Sequence, residues 1–168
     1  MATIIMKSIK LTFVLLLIAT VTFAQKSPRK AATGSIGNVI VAVDYGAPSV
    51  KGRTIWGGLE EYGKVWRAGA NENTTFSFDK DVKIGNTVIP SGTYGFFIIP
   101  NENKEWIVIL NSKNDSWGAN SYNKDEDILR LNIAPKFTEE NQEILEFAIG
   151  EKGINFSWGK VRIIIPIN

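Results

Sequence analysis

Apolar residues along this chain recur mainly at every second position, the period of a strand with one buried face. Val39, Val41, Val43 and Tyr45 alternate with Ile40, Ala42 and Asp44, and Phe76 and Phe78 share a face within 74–78. Val82-Lys83-Ile84 and Thr87-Val88-Ile89 flank Gly85-Asn86, a two-residue hairpin turn in which the glycine supplies a positive φ. Pro90-Ser91-Gly92 marks another turn. Residues 94–99 and 106–110 are apolar on both faces and too short for ordinary helices, so they are expected to be central strands, with Phe97, Ile99, Trp106 and Val108 buried. Leu129, Leu131 and Ile133 predict a half-exposed strand, followed by Leu145, Phe147 and Ile149 in the next. Ile154, Phe156 and Trp158 then lead through a turn at Gly159-Lys160 to a last strand, Val161 to Ile167. Residues 138–142 are expected to be a turn. Such a succession of short strands predicts an all-β fold, an antiparallel β-sandwich or barrel-like sandwich.

The stretch 46–63 breaks the alternation, with Gly46, Gly52, Gly57, Gly58, Gly63 and Pro48 among few regularly spaced apolar residues. Long irregular connections are uncommon in compact domains and often carry function. This one holds Lys51, Arg53 and Trp56, with Lys64, Trp66, Arg67, Asn71 and Glu72 just beyond.

The N-terminus has a different character. Lys7 and Lys10 precede an apolar run at 11–19, and Thr22-Phe23-Ala24 closes it with a small residue. A basic start, a short apolar core and a small-residue end predict a cleavable secretory signal over 1–24. The uncharged stretch 11–24 falls short of the roughly 20 residues a spanning helix needs. Export to a periplasm or the exterior follows, with no membrane attachment after cleavage. Residues 25–34, polar and basic, read as a flexible leader, and 35–168 as a single β domain.

Loss of Lys7 and Lys10 reduces 19 basic side chains to 17, equal to the 17 acidic ones, so a nucleic-acid-binding face is not expected. The remaining charge is uneven. Residues 26–67 carry seven basic and three acidic side chains, which makes this part of the domain the place to seek an anion-binding surface.

The chain contains neither His nor Cys. That removes Ser-His-Asp and Cys-His catalysis, and every zinc, copper, haem or iron–sulfur site ligated by imidazole or thiolate. No phosphate-loop or dinucleotide glycine signature occurs, and no metal or cofactor is expected. Asp115, Asp125, Glu126 and Asp127 match no calcium-loop spacing and read as a solvated acidic stretch. Carboxylate chemistry survives, and Asp44 and Glu72, flanking the irregular segment, are the weak candidates for a catalytic pair. Binding is the stronger expectation. Lys51, Arg53, Trp56, Trp66, Arg67, Asn71 and Glu72 combine forked cationic donors with aromatic surface, and Trp117 and Tyr122 lie in a second loop.

Several segments also resemble a known family. Tyr45-Gly46-Ala47-Pro48 leads to Lys51-Gly52-Arg53 and Ile55-Trp56-Gly57-Gly58-Leu59, then to Tyr62-Gly63-Lys64-Val65-Trp66-Arg67-Ala68-Gly69-Ala70-Asn71-Glu72. With Ile89-Pro90-Ser91-Gly92-Thr93-Tyr94-Gly95, Trp117-Gly118-Ala119 and the closing strand, these are similar to the domain of unknown function 2911 family of exported bacterial proteins. Glu60-Glu61 departs from that pattern, which often has an apolar residue and proline there. The resemblance implies export and a compact domain, and transfers no reaction. The expected function is therefore non-enzymatic recognition of a small or extended polar ligand, an anionic small molecule or a glycan. A carboxylate-based glycan hydrolase and a structural envelope protein are the alternatives.

Overall fold

A computed structural model describes residues 26–168. The expected signal segment 1–24 lies outside the described residues. Ten strands follow in order: β1 Arg29–Ile36, β2 Val39–Gly46, β3 Thr74–Phe78, β4 Val82–Ile84, β5 Thr87–Ile89, β6 Gly92–Ile99, β7 Trp106–Asn111, β8 Asp127–Ile133, β9 Lys136–Gly150 and β10 Gly153–Pro166. Six form one antiparallel sheet in the order β1-β2-β3-β6-β7-β8. The doubly apolar strands β6 and β7 are interior to it, and Phe97, Ile99, Trp106 and Val108 are all buried.

The long β9–β10 hairpin and the short β4–β5 hairpin complete the fold. Lys83 and Asn168 exchange backbone hydrogen bonds of 2.9 Å, tying the chain end beyond β10 to β4. Val41, Val43, Phe76, Phe96, Ile98 and Val108 of the large sheet share one core with Leu145, Phe147, Phe156, Trp158, Ile163 and Ile165 of the long hairpin. The result is sandwich-like and does not close into a barrel. Phe76 and Phe96 stack at 4.0 Å, and Phe147 meets both edge-on, which joins the two layers. The other face of β6 and β7 carries Phe97, Ile99 and Ile109, covered by Val65, Ala119 and Tyr122 from loops.

Three expectations need correction. Arg29 to Gly34, assigned above to a flexible leader, pair residue by residue with β2 as most of β1. Residues 138–142 are not a turn but part of β9. Nor does Gly159-Lys160 end a strand: β10 runs through it, with register shifts on both sides of Gly159, whose φ of +57° marks a bulge. Gly85, at φ +59°, does make the expected β4–β5 turn.

Candidate functional site

The segment between β2 and β3 is ordered by isolated pairings with elements on opposite sides of the domain. Ser49 bridges Ile144 of β9, and Val50 N–H donates to Glu143 O at 2.8 Å. Trp66 exchanges two 2.8 Å backbone bonds with Ile98, extending the large sheet beyond the end of β3. Glu72 then bridges Trp117. The residues that sequence placed in one cluster are thereby divided among several environments.

Trp56 and Trp66 belong to the core. Trp66 is 4% exposed, and its indole N–H donates to Gly69 O at 3.2 Å. Trp56 is half-buried and packs edge-on against Trp66, Trp106 and Trp158. Alternation of side chains about Trp66 sends Val65 to the second face, against the Phe97 cluster.

Asp44, Asn71 and Glu72 meet residues 26–29, which lead into β1. Arg29 donates from Nε to Asp44 Oδ1 and from its Nη atoms to the carbonyls of Glu72 and Asn73. Lys26 Nζ bonds Glu72 Oε1 at 2.7 Å, and that bond holds the Glu72 carboxyl below its usual pKa. Asn71 Nδ2 donates to Ser27 O at 3.2 Å. Asp44 and Glu72 are thus linked through Arg29 and the strand start, each held by a cation.

Lys51 and Arg53 line a depression of about 390 Å³ together with Lys26, Ser27, Pro28, Ala47 and Ser49. Arg53 donates from Nε to Val50 O and from Nη2 to Ser49 O, which fixes its guanidinium at the rim. The Lys51 backbone N–H bonds Glu143 Oε1 at 2.9 Å, anchoring the turn while its ammonium stays exposed. Sequence reasoning missed Lys26, Ser27 and Pro28, because they sit in the presumed leader some twenty positions away. The Lys26/Arg29 charge pair ahead of an alternating segment was the available signal.

Arg67 and Glu60 form the remaining part. Arg67 Nε is buried without a hydrogen-bond partner among the described residues. Burial pushes the Glu60 carboxyl from an ordinary 4.5 up to about 7, against the pull of Arg67 and Arg53. The same burial lowers the Arg67 pKa, and Glu60 opposes that shift. A carboxyl that binds its proton more tightly when folded makes stability fall as pH rises from about 4.5 to about 7, and level off above. Screening of a half-buried group leaves about 1–2 kcal/mol of that effect. Glu60→Gln, neutral throughout, is expected to abolish the slope, matching the parent near pH 4.5 and exceeding its stability at about pH 8. Urea unfolding at both pH values checks this, and equal slopes in parent and variant would refute it.

Within the acidic stretch near 125, Asp125 is exposed as expected, but Asp127 is engaged internally. Asp127 Oδ2 accepts from Tyr122 at 2.6 Å and Arg130 at 2.7 Å, and Oδ1 accepts from Asn111 at 2.9 Å. Burial, reinforced by Asp127, raises the Tyr122 phenol to about 12. No group of three or more acidic side chains disposed to hold a metal ion occurs among the described residues. Nor is any helix there long and apolar enough to cross a membrane.

Comparison with known proteins adds one finding. The chain matches the family model described as Protein of unknown function (DUF2911) over residues 27–167, a span that contains all ten strands and every candidate residue named above except Lys26. No curated protein and no solved structure matches it. A match over this span carries membership with it: the chain belongs to the DUF2911 family of proteins of unknown function.

Proposed function

We propose that this is an exported, non-enzymatic binding domain that takes a small anionic ligand in the depression formed by Lys26, Lys51 and Arg53. The observation that carries the reading is the charge of that depression: Lys51 and Arg53 line about 390 Å³ together with Lys26, whose ammonium is bonded to Glu72, and no carboxylate among the described residues lines it with them. Arg53 is already oriented by two backbone carbonyls, so little of its rotamer freedom is lost when an anion docks. Pro28 and Ala47 are held together by the Ala47 N–H to Pro28 O bond of 2.9 Å, which fixes the floor. Export rests on Lys7, Lys10, the 11–19 apolar run and Ala24. A mature chain starting at Gln25, weighed by mass spectrometry of secreted material, is the outcome that reading requires; a full-length chain in the membrane fraction refutes it.

Hydrolysis has weaker support. A glycosidase needs one carboxyl with a raised pKa facing an ionised one, whereas Glu72 is shifted down and Asp44 is held by Arg29. The carboxyl that is shifted up, Glu60, is half-buried beside Arg67.

Titration with inorganic phosphate and with sulfate, followed by amide chemical shifts, tests the binding reading. Saturable shifts at Ser27, Ser49 and Lys51 are expected. Lys51→Ala with Arg53→Ala is expected to weaken binding about tenfold or more, since each charge-assisted bond contributes about 1.5 kcal/mol or above. Arg53 is exposed, so the loss of its bonds to Ser49 and Val50 should cost only about 1 kcal/mol of stability. Shifts that persist unchanged in the double variant would exclude this depression.

A further inference from the structure

One large aromatic stands in solvent beside a second, polar depression. Trp117 is 60% exposed, while Trp66, Trp106 and Trp158 are buried and Trp56 packs against them. Single exposed apolar residues are ordinary on a protein surface, but the mounting of this one is not. Glu72 and Trp117 form an antiparallel bridge, Gly118 N–H donates to Asn71 O at 2.9 Å, and Asn73 N–H donates to Ser116 O at 2.8 Å. Gly118 adopts φ +70°, the left-handed conformation that lets the loop turn directly after the tryptophan. The loop takes its hydrophobic anchorage from Ala119 and Tyr122, which pack on the Phe97 cluster. The backbone at Trp117 is therefore anchored on both sides, while its side chain lies outside the core clusters.

Trp117 lines a depression of about 250 Å³ with Arg29, Glu72, Asn73, Asn114, Asp115 and Ser116, the Arg29 guanidinium being taken up by Asp44 and the carbonyls of Glu72 and Asn73. Asn114 Nδ2 donates to Thr93 O at 2.7 Å, which fixes the amide and leaves its oxygen as an acceptor. Asp115 Oδ1 accepts from Lys113 at 2.7 Å, and this bond keeps the carboxyl ionised by lowering its pKa. The combination is a flat aromatic face with the oxygen acceptors of Glu72, Asn114 and Asp115 and the Arg29 guanidinium around it. A sugar ring presents the matching chemistry: an apolar face of C–H bonds and a rim of hydroxyl donors.

We propose that this depression is a saccharide-binding subsite, in which Trp117 stacks on the C–H face of one sugar ring and Glu72, Asn114 and Asp115 accept hydrogen bonds from its hydroxyls. The inference goes beyond the anion-binding reading and uses neither Lys51 nor Arg53. Lys26 lines the anion depression and reaches the second one through its ammonium. Its ammonium lies 5.0 Å from the Trp117 ring centroid and 2.7 Å from Glu72 Oε1, so it covers the stacking face in the free protein. Both contacts are solvent-exposed and of the kind that exchanges readily. A sugar seated on the ring displaces this side chain.

The test uses the isotopically labelled protein with cellohexaose, chitohexaose and an oligogalacturonate as separate probes. At least one is expected to move the Trp117 indole N–H and Asn114 side-chain amide resonances saturably. Trp117→Ala is expected to weaken that binding about tenfold or more, the usual consequence of losing an aromatic stacking platform. Trp117→Tyr should retain most of it, and Lys26→Ala should tighten it. Arg53→Ala should leave it unchanged, which separates failure here from failure of the anion site. Silence of all three probes at millimolar concentration, or unaltered affinity in Trp117→Ala, overturns the proposal. A response to tetramethylammonium but to no saccharide overturns it as well, because the face would then be a cation seat.

Discussion

Trp158→Ala is expected to lower the free energy of unfolding by about 3–5 kcal/mol, a large part of the roughly 5–15 kcal/mol a domain of this size has. Trp158 is fully buried, lies stacked 5.4 Å from Trp66, and meets Trp56 edge-on at 5.7 Å. Trp56 in turn contacts Trp106 at 4.5 Å, so four indoles pack as one unit between β10, the large sheet and the β2–β3 connection. Removing one leaves a cavity that rigid aromatic neighbours cannot collapse to fill. The partner variant separates cavity from hydrogen bonding. The Trp158 indole N–H is buried with no partner among the described residues, so Trp158→Phe loses volume but no bond seen there. Trp106 Nε1, by contrast, donates to Asn101 O at 2.9 Å, and Trp106→Phe leaves that carbonyl without its donor. Chemical denaturation should rank Trp158→Ala as the most damaging and Trp158→Phe as milder than Trp106→Phe. A Trp158→Ala variant within 1 kcal/mol of the parent, roughly the typical effect of any substitution, would show that the aromatic cluster is not a single packed unit.

The strands were legible where side-chain alternation expresses burial directly. β2, β3, β6 and β7 each carry large apolar residues at inward positions, and β6 and β7 betray their central place by being apolar on both faces. β1 was invisible for a packing reason. Its inward positions include Ala32 and Gly34, and a Cβ on Gly34 would come within 2.9 Å of the Ile149 side chain. The approach of β9 demands small residues there, and small residues erase the hydrophobic period. In β9, most of Lys136–Ile144 is exposed, so a polar run that reads as a turn is a strand supported by its partner.

The candidate site was legible in part for a different reason. Proximity in sequence between Lys51 and Glu72 does not become proximity in space, because the segment crosses from β9 at Ser49 to a backbone pairing with β6 at Trp66. Lys51 and Arg53 stay together because only Gly52 separates them. Trp56 and Trp66 are drawn inward by the same hydrophobicity that made them attractive as a binding platform. Partners from other parts of the chain, Lys26 for Arg53 and Asn114 for Trp117, depend on tertiary contacts that no local pattern encodes. Glu60 carries a signal only in hindsight of burial: a carboxylate within a glycine-rich turn looks solvated until Arg67 and the covering chain are placed around it.

Gly95→Ala is the substitution expected to damage fold and saccharide subsite together. Gly95 is a buried position of β6 paired with Thr75 on one side and Asn111 on the other, and its φ lies outside the left-handed region. Conformational freedom is therefore not what it supplies. A Cβ there would run into the Lys113 carbonyl oxygen, and would lie 2.9 Å from Asn73 Oδ1 and 3.2 Å from the Phe97 ring. A backbone carbonyl cannot rotate aside as a flexible side chain can, so the methyl must push the 112–118 loop outward or pry β6 from its neighbours. Overpacking of a well-filled interior costs about 1–3 kcal/mol, and a clash with backbone belongs at or above the top of that range. Gly63→Ala supplies the control: nothing lies within 4 Å of its Cβ position, and only the strain of φ +76° remains, about 1 kcal/mol. Urea unfolding should place Gly95→Ala well below Gly63→Ala in stability. Because the displaced loop carries Asn114, Asp115 and Trp117, Gly95→Ala should also weaken saccharide binding although every contacting side chain is intact. Equal unfolding free energies for the two alanine variants would mean that the Lys113 carbonyl yields freely, and that the loop is not clamped to β6 as the close approach requires.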